Sequence, residues 1–127
     1  MEPVGKELGT FSGTVTNQTF NEDGSVPAHL EIPDVGPFGA LSSTCTFEAP
    51  ENPDHETGVY RERGYSLTQD GNPVRYRCPG VWRETTPGGN WEVKHCAANI
   101  DGHRVFVVAN FKAADMSITG TQYELES

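Results

Sequence analysis

No stretch of this chain carries the three-to-four-residue apolar spacing of a helix over a useful length; residues 110–116 form the one short candidate. Apolar and β-branched residues fall instead into runs separated by clusters of Gly, Pro, Asn and Asp. The clusters are Asn21-Glu22-Asp23-Gly24, Asp34-Val35-Gly36-Pro37, residues 50–56, Asp70-Gly71-Asn72-Pro73, Pro87-Gly88-Gly89-Asn90 and Asp101-Gly102, with a weaker one at Ala113-Ala114-Asp115. Each uses residues that tolerate positive φ or preset a turn. They leave eight extended segments at about residues 8–20, 25–32, 38–49, 57–69, 74–86, 91–100, 103–112 and 116–125. Most of these segments are longer than the usual strand of about 5–6 residues.

An even number of long strands joined by tight turns predicts an all-β fold: one antiparallel up-and-down β-barrel of about eight strands, a single domain over residues 1–127. Closure removes the exposed edges that such strands would otherwise present. The alternative is a β-sandwich, because Tyr76-Arg77-Cys78 has the Tyr-x-Cys form of an immunoglobulin strand. That fold wants a core Trp between its two cysteines, and none lies between Cys45 and Cys78.

Turns fix register, so facing residues can be assigned from the sequence. Around Asp70–Pro73 the expected partners are Leu67 with Tyr76, Tyr65 with Cys78, Arg63 with Gly80 and Arg61 with Trp82. Around Pro87–Asn90, Trp82 faces His95; around Asp101-Gly102, His95 faces Val108 and Val93 faces Asn110. This register gathers Val59, Tyr65, Leu67, Tyr76, Trp82, Trp91, Val93, Phe106 and Val108 on the interior face. Pro79-Gly80 leaves the register beyond it open by one residue, since proline has no hydrogen to give the ladder and a bulge there would shift the phase of Tyr76 and Cys78 relative to Trp82.

The same register puts Arg61 and Arg63 among aromatic residues, where a guanidinium needs a partner. An anionic ligand would supply one, because arginine grips carboxylate or phosphate through a planar fork. Tyr65, Trp82 and Phe106 would give flat apolar contact and Asn110 an orienting amide; together with Arg61 and Arg63 they are the expected ligand-binding residues. Tyr76 and His95 are the candidate acid and base. On segment 7 the register turns Val105, Val107, Ala109 and Phe111 outward, and an outward apolar row suggests a homo-oligomer contact. Cys45, Cys78 and Cys96 read as buried small hydrophobes, and with His95 and His103 they lack metal-ligand spacing; no metal or other cofactor is expected.

Composition narrows the function classes. Nine Lys and Arg stand against eighteen Asp and Glu, for a net charge of −9, so no nucleic-acid partner is expected. The charge is uneven: residues 1–60 hold ten acids and one base, Lys6, whereas residues 61–127 hold eight of each. No apolar run approaches the ~20 residues of a membrane span, and Met1-Glu2-Pro3-Val4-Gly5 does not have the form of a signal peptide, so a cytoplasmic setting without a membrane partner is expected. There is no nucleophile–base motif, phosphate loop or dinucleotide fingerprint.

Gly9-Thr10-Phe11-Ser12-Gly13 resembles the first-strand Gly-x-Trp of lipocalin-like, calycin-type barrels and the Gly-x-Trp-x-Gly of nitrobindin-like haem barrels, with Phe in place of Trp. The nitrobindin-like family binds haem through a histidine near its C-terminus; the last histidine here is His103, so the resemblance does not extend to haem. The overall pattern is also similar to allene oxide cyclase-type barrels, which implies a small oligomeric barrel with an apolar interior. The expected function is a barrel that binds a hydrophobic small molecule bearing an anionic group. A cofactor-independent isomerase or cyclase acting on a similar substrate is one alternative, and a protein-interaction module is the other.

Overall fold

The computed structural model describes residues 4–33, 40–50, 57–67, 73–86, 89–100 and 103–125. Most of the turn clusters at 34–37, 50–56, 70–73, 87–90 and 101–102 lie outside these residues, as do the side chains of Tyr76, Cys96 and His103. Eight strands follow one another: β1 (Val4–Gln18), β2 (Val26–Ile32), β3 (Ala40–Phe47), β4 (Thr57–Leu67), β5 (Pro73–Thr86), β6 (Asn90–Ile100), β7 (His103–Lys112) and β8 (Ser117–Leu125). Each pairs antiparallel with the next, and β8 closes on β1, giving an eight-stranded up-and-down barrel. Residues 113–116, part of the one helical candidate, form the β7–β8 turn.

β1 is long enough to serve two partners. Residues from Val4 to Thr14 pair with β8, and those from Thr14 to Gln18 pair with β2. Phe11 lies directly opposite Gly120, and a Cβ there would come within 2.4 Å of the Phe11 ring. The Gly-Thr-Phe-Ser-Gly segment thus lays its aromatic ring across a glycine of the neighbouring strand.

The inward face follows strict alternation. Leu30, Cys45, Tyr60, Cys78, Val93, Val105, Val107, Ala109 and Ile118 are all buried. Three of the expected registers differ from the observed ones, and parity decides the consequence. The β6–β7 ladder begins with Ile100↔His103, as a two-residue turn requires, but a bulge between Ala97 and Ile100 then gives His95↔Val107. A one-residue slip turns every side chain over. Val105, Val107, Ala109 and Phe111 therefore point into the barrel, at 5% exposure or less, and an oligomer contact through them is excluded. Phe106 and Val108 are half-buried on the other face, and Asn110 is exposed.

The β4–β5 register lies three residues from the expected one, with Leu67 opposite Pro73 and Tyr65 opposite Arg75. The offset is again odd. Arg61, Arg63, Val59 and Tyr65 are exposed, while Tyr60 and Glu62 face inward. At β5–β6 the offset is two residues, with Trp82↔Val93 and Gly80↔His95, so Trp82, Val93 and His95 keep the inward face expected of them. No bulge interrupts Pro79-Gly80 on this side: β4 and β5 pair in continuous register through Arg61↔Pro79. The β5–β6 register begins at Gly80, immediately after the proline that has no hydrogen to contribute.

Candidate functional site

The barrel interior has two characters along its length. At the end formed by the β1–β2, β3–β4, β5–β6 and β7–β8 connections, Phe47 packs edge-on against Trp82, Tyr60 and Phe111 with ring centroids 6.3, 5.2 and 5.1 Å away. Trp82 folds over Gly58 and donates from Nε1 to the Glu48 carbonyl at 2.9 Å. These rings plug that end around a small space of about 90 Å³ shared with Phe20, Val26 and Trp91.

Beyond the plug, the inward positions of β3–β6 become polar: Ser43, Cys45, Tyr60, Glu62, Cys78 and His95, with Gln122 contributed by β8. The geometry follows from pairing. Cys45, Glu62 and Cys78 are consecutive cross-strand partners, and Tyr60 and His95 flank Gly80 from opposite sides. Gly80 makes the meeting possible. A Cβ there would lie 2.6 Å from the His95 Cβ and 2.5 Å from the Lys94 carbonyl oxygen. Without it, the Tyr60 and His95 rings approach to 5.5 Å between centroids.

Glu62, 7% exposed, receives the Tyr60 hydroxyl on Oε1 at 2.5 Å. Burying a carboxylate is costly unless such a charge-assisted bond offsets the lost water. Burial first, then the Glu62 charge, pushes the Tyr60 phenol well above its usual range, so it remains a donor. Burial and the same carboxylate push the Cys45 thiol up to about 12. A thiol held protonated in this way is not a nucleophile.

His95 Nε2 lies 3.9 Å from Glu62 Oε1, beyond hydrogen-bond reach. Burial lowers the His95 pKa and outweighs the attraction of Glu62, so the ring is neutral. Its Nδ1 is buried with no hydrogen-bond partner, and so is the Ser43 hydroxyl. Buried polar atoms without partners are rare and costly, and such atoms mark where water or a ligand sits. The described arginine and lysine side chains are exposed, so the interior carries a carboxylate and neutral groups but no cation among the described residues.

A second space, of about 600 Å³, opens where β1 changes partner from β8 to β2. It is lined by the inward residues Ile32, Leu41 and Ile118 together with Gly13, Ser42 and Tyr65. Exposed Ser12, Thr14, Glu31 and Thr119 complete its rim, so it opens to the outside of the barrel, and Ser43, Glu62 and His95 do not line it.

Of the residues singled out from sequence, Trp82 and His95 stand inside the barrel and belong to one cluster with Tyr60 and Glu62. Arg61, Arg63 and Tyr65 stand outside on β4, and Phe106 and Asn110 outside on β7. Position 76 pairs with Gly64; its side chain lies outside the described residues. Sequence reasoning missed Tyr60 and Glu62. The signal was in Tyr60-Arg61-Glu62-Arg63: one face of that strand carries one acid and a phenol, the other two guanidiniums. Burying the single, internally bonded charge is the less costly choice.

The outer face also carries a Ser–His–Glu contact. Ser42 donates to Glu31 Oε1 at 2.9 Å, and His29 Nε2 lies 2.8 Å from the same oxygen. Ser42 and Glu31 both meet His29 through Nε2, so the ring does not stand between nucleophile and acid as a proton relay requires. Among the described residues no group of three or more His, Cys, Asp or Glu could hold a metal ion, and no helix is long and apolar enough to cross a membrane. Comparison with protein-family models, curated proteins and solved structures gives no match to this chain.

Proposed function

We propose that this protein is a small-molecule-binding β-barrel whose interior takes a neutral or basic apolar compound through a hydrogen-bond-donating group. The observation that carries the reading is the pair of unpartnered buried atoms, His95 Nδ1 and Ser43 Oγ, beside the buried Glu62 carboxylate. A ligand donor group satisfies Glu62 or the neutral imidazole, the Ser43 hydroxyl adapts as donor or acceptor, and Trp82 and the neighbouring rings take the apolar part. The anionic head group expected from sequence does not suit this interior, because a carboxylate would face Glu62 without a buried cation.

Saturation-transfer NMR with benzylamine, benzyl alcohol and benzoate tests the reading, since the three probes differ in their head group. Transfer to the amine and the alcohol, weakened by Glu62→Gln, is the expected result. Equal transfer to benzoate, or transfer unchanged in Glu62→Gln, defeats it.

A second reading, a cofactor-independent isomerase, is favoured by the Tyr60–Glu62 pair, a carboxylate that can accept a proton beside a phenol that can return one. Any molecule retained by the protein would be recovered after incubation in D₂O. Carbon-bound deuterium in the wild-type sample and none with Glu62→Gln supports proton transfer; no deuterium in either leaves binding alone.

A further inference from the structure

We propose that the outer face of β3–β4–β5 is a second binding site, for a compact, multiply charged oxyanion of the phosphate class. Six of the nine Lys and Arg side chains of this acidic chain project from the outer face of β4–β6: Arg61, Arg63, Arg75, Arg77, Arg83 and Lys94. Arg63 and Arg77 are direct cross-strand partners, and Thr44 stands on the other side of Arg63. Arg61 and Arg75 are the next outward positions on the same two strands. Direct partners are separated by about 5 Å, so Arg63 and Arg77 can grip one small anion between them, while Arg61 and Arg75 lie about 6.6 Å further along in opposite directions and add positive charge at either side.

Like charges placed directly opposite destabilise a sheet. This chain has eighteen acids with which to relieve the repulsion, yet it places few of them here. Glu48 takes Arg61 at 2.8 Å and Glu92 takes Arg83 at 3.1 Å. Arg63, Arg75 and Arg77 have no carboxylate partner among the described residues. Between the arginines runs a groove of about 470 Å³, lined by Arg61, Arg63, Arg77, Thr44, Thr46 and Pro79, with the inward-facing Glu62 and Cys78 also contributing to its wall. Its floor is the sheet that carries Glu62 and Cys78 on the inner side, so the two sites lie on opposite faces of one wall and prefer ligands of opposite charge.

The groove has the volume of a small molecule. A long polyanion running past it would meet the acidic remainder of the surface, which disfavours an extended partner. A phosphate-class group satisfies several guanidinium forks at once, and the Thr44 and Thr46 hydroxyls add neutral donors.

Isothermal titration calorimetry with inorganic pyrophosphate tests the proposal on the intact protein. One saturable site is expected, weakened at least tenfold by Arg63→Ala or Arg77→Ala, lost in the double variant, and unchanged by Lys112→Ala on β7 or by Glu62→Gln inside the barrel. Insensitivity to Glu62→Gln separates this site from the interior one. Without anion, Arg77→Thr should raise the melting temperature slightly, because it relieves the like-charge pair, and it should lose the upward shift that pyrophosphate gives the wild type. Absence of pyrophosphate binding, persistence in the double variant, heparin binding without pyrophosphate binding, or a lowered melting temperature for Arg77→Thr alone would each overturn the proposal.

Discussion

Replacing Tyr60 with phenylalanine isolates the bond on which the interior depends. The phenol is fully buried, and its ring packs against Phe47, His95 and Phe111 at centroid distances of 5.2, 5.5 and 6.2 Å. Phenylalanine keeps those ring contacts. What disappears is the donor to Glu62 Oε1 at 2.5 Å. A hydrogen bond to a charged group contributes about 1.5–3 kcal/mol. The missing oxygen leaves little void, so the expected loss is about 2–3 kcal/mol. For a chain of this length, each kcal/mol moves the midpoint by roughly 3–5 °C, so a fall of about 6–15 °C is expected. Urea unfolding gives the same quantity through a lowered midpoint at constant slope. Tyr65→Phe is the control: that residue is 44% exposed on the outer face, and the change should stay within about 0.5 kcal/mol. The coupling with Glu62 is checked by Tyr60→Phe with Glu62→Gln. The double variant should lose less than the sum of the singles, because removing the charge removes the need for its donor. If Tyr60→Phe is no worse than Tyr65→Phe, the reasoning about a buried, phenol-supported carboxylate is wrong.

Three other outcomes follow from the same geometry. Gly80→Ala should destabilise the barrel by about 1–3 kcal/mol in urea unfolding, because the new methyl group would meet the Lys94 carbonyl oxygen at 2.5 Å and the His95 Cβ at 2.6 Å. His95 has its pKa lowered from 6.5 by burial, with Glu62 opposing, so the folded protein holds fewer protons than the unfolded chain just below that pH. Its contribution is fully present above pH 6.5 and is lost as the pH falls through the lower folded-state value; His95→Gln should flatten that part of a stability-against-pH curve. Cys45, with its thiol held up to about 12, and Cys78, 2% exposed, should resist alkylation by iodoacetamide at pH 8 in the native protein and react once it is unfolded, as read by peptide mass mapping.

The barrel itself was legible because its punctuation is local. Turn residues with special backbone demands divide the chain into eight long runs, and long strands with tight connections need closure. Which side chain faces inward depends on register, and register accumulates from features that leave a weak trace in sequence. The bulge between Ala97 and Ile100 contains no glycine or proline to announce it, yet it reverses all of β7. The β4–β5 register is displaced by three residues from the one its Asp-Gly-Asn-Pro cluster suggests, and this reverses β4. Trp82, Val93 and His95 survived because the β5–β6 offset is even. The structure places Arg61 and Arg63, expected to face inward, on the outer wall. The interior site was only half visible, because its carboxylate looks like one more charge in a strand rich in arginine.

The most direct test of the central claim is native mass spectrometry of the freshly purified protein, followed by denaturation of the same sample to identify anything released. The account predicts a single retained neutral or basic compound with a hydrogen-bond donor, absent or depleted in Glu62→Gln. A wild-type protein of bare mass in repeated preparations, or a retained carboxylic acid present equally in Glu62→Gln, would contradict it.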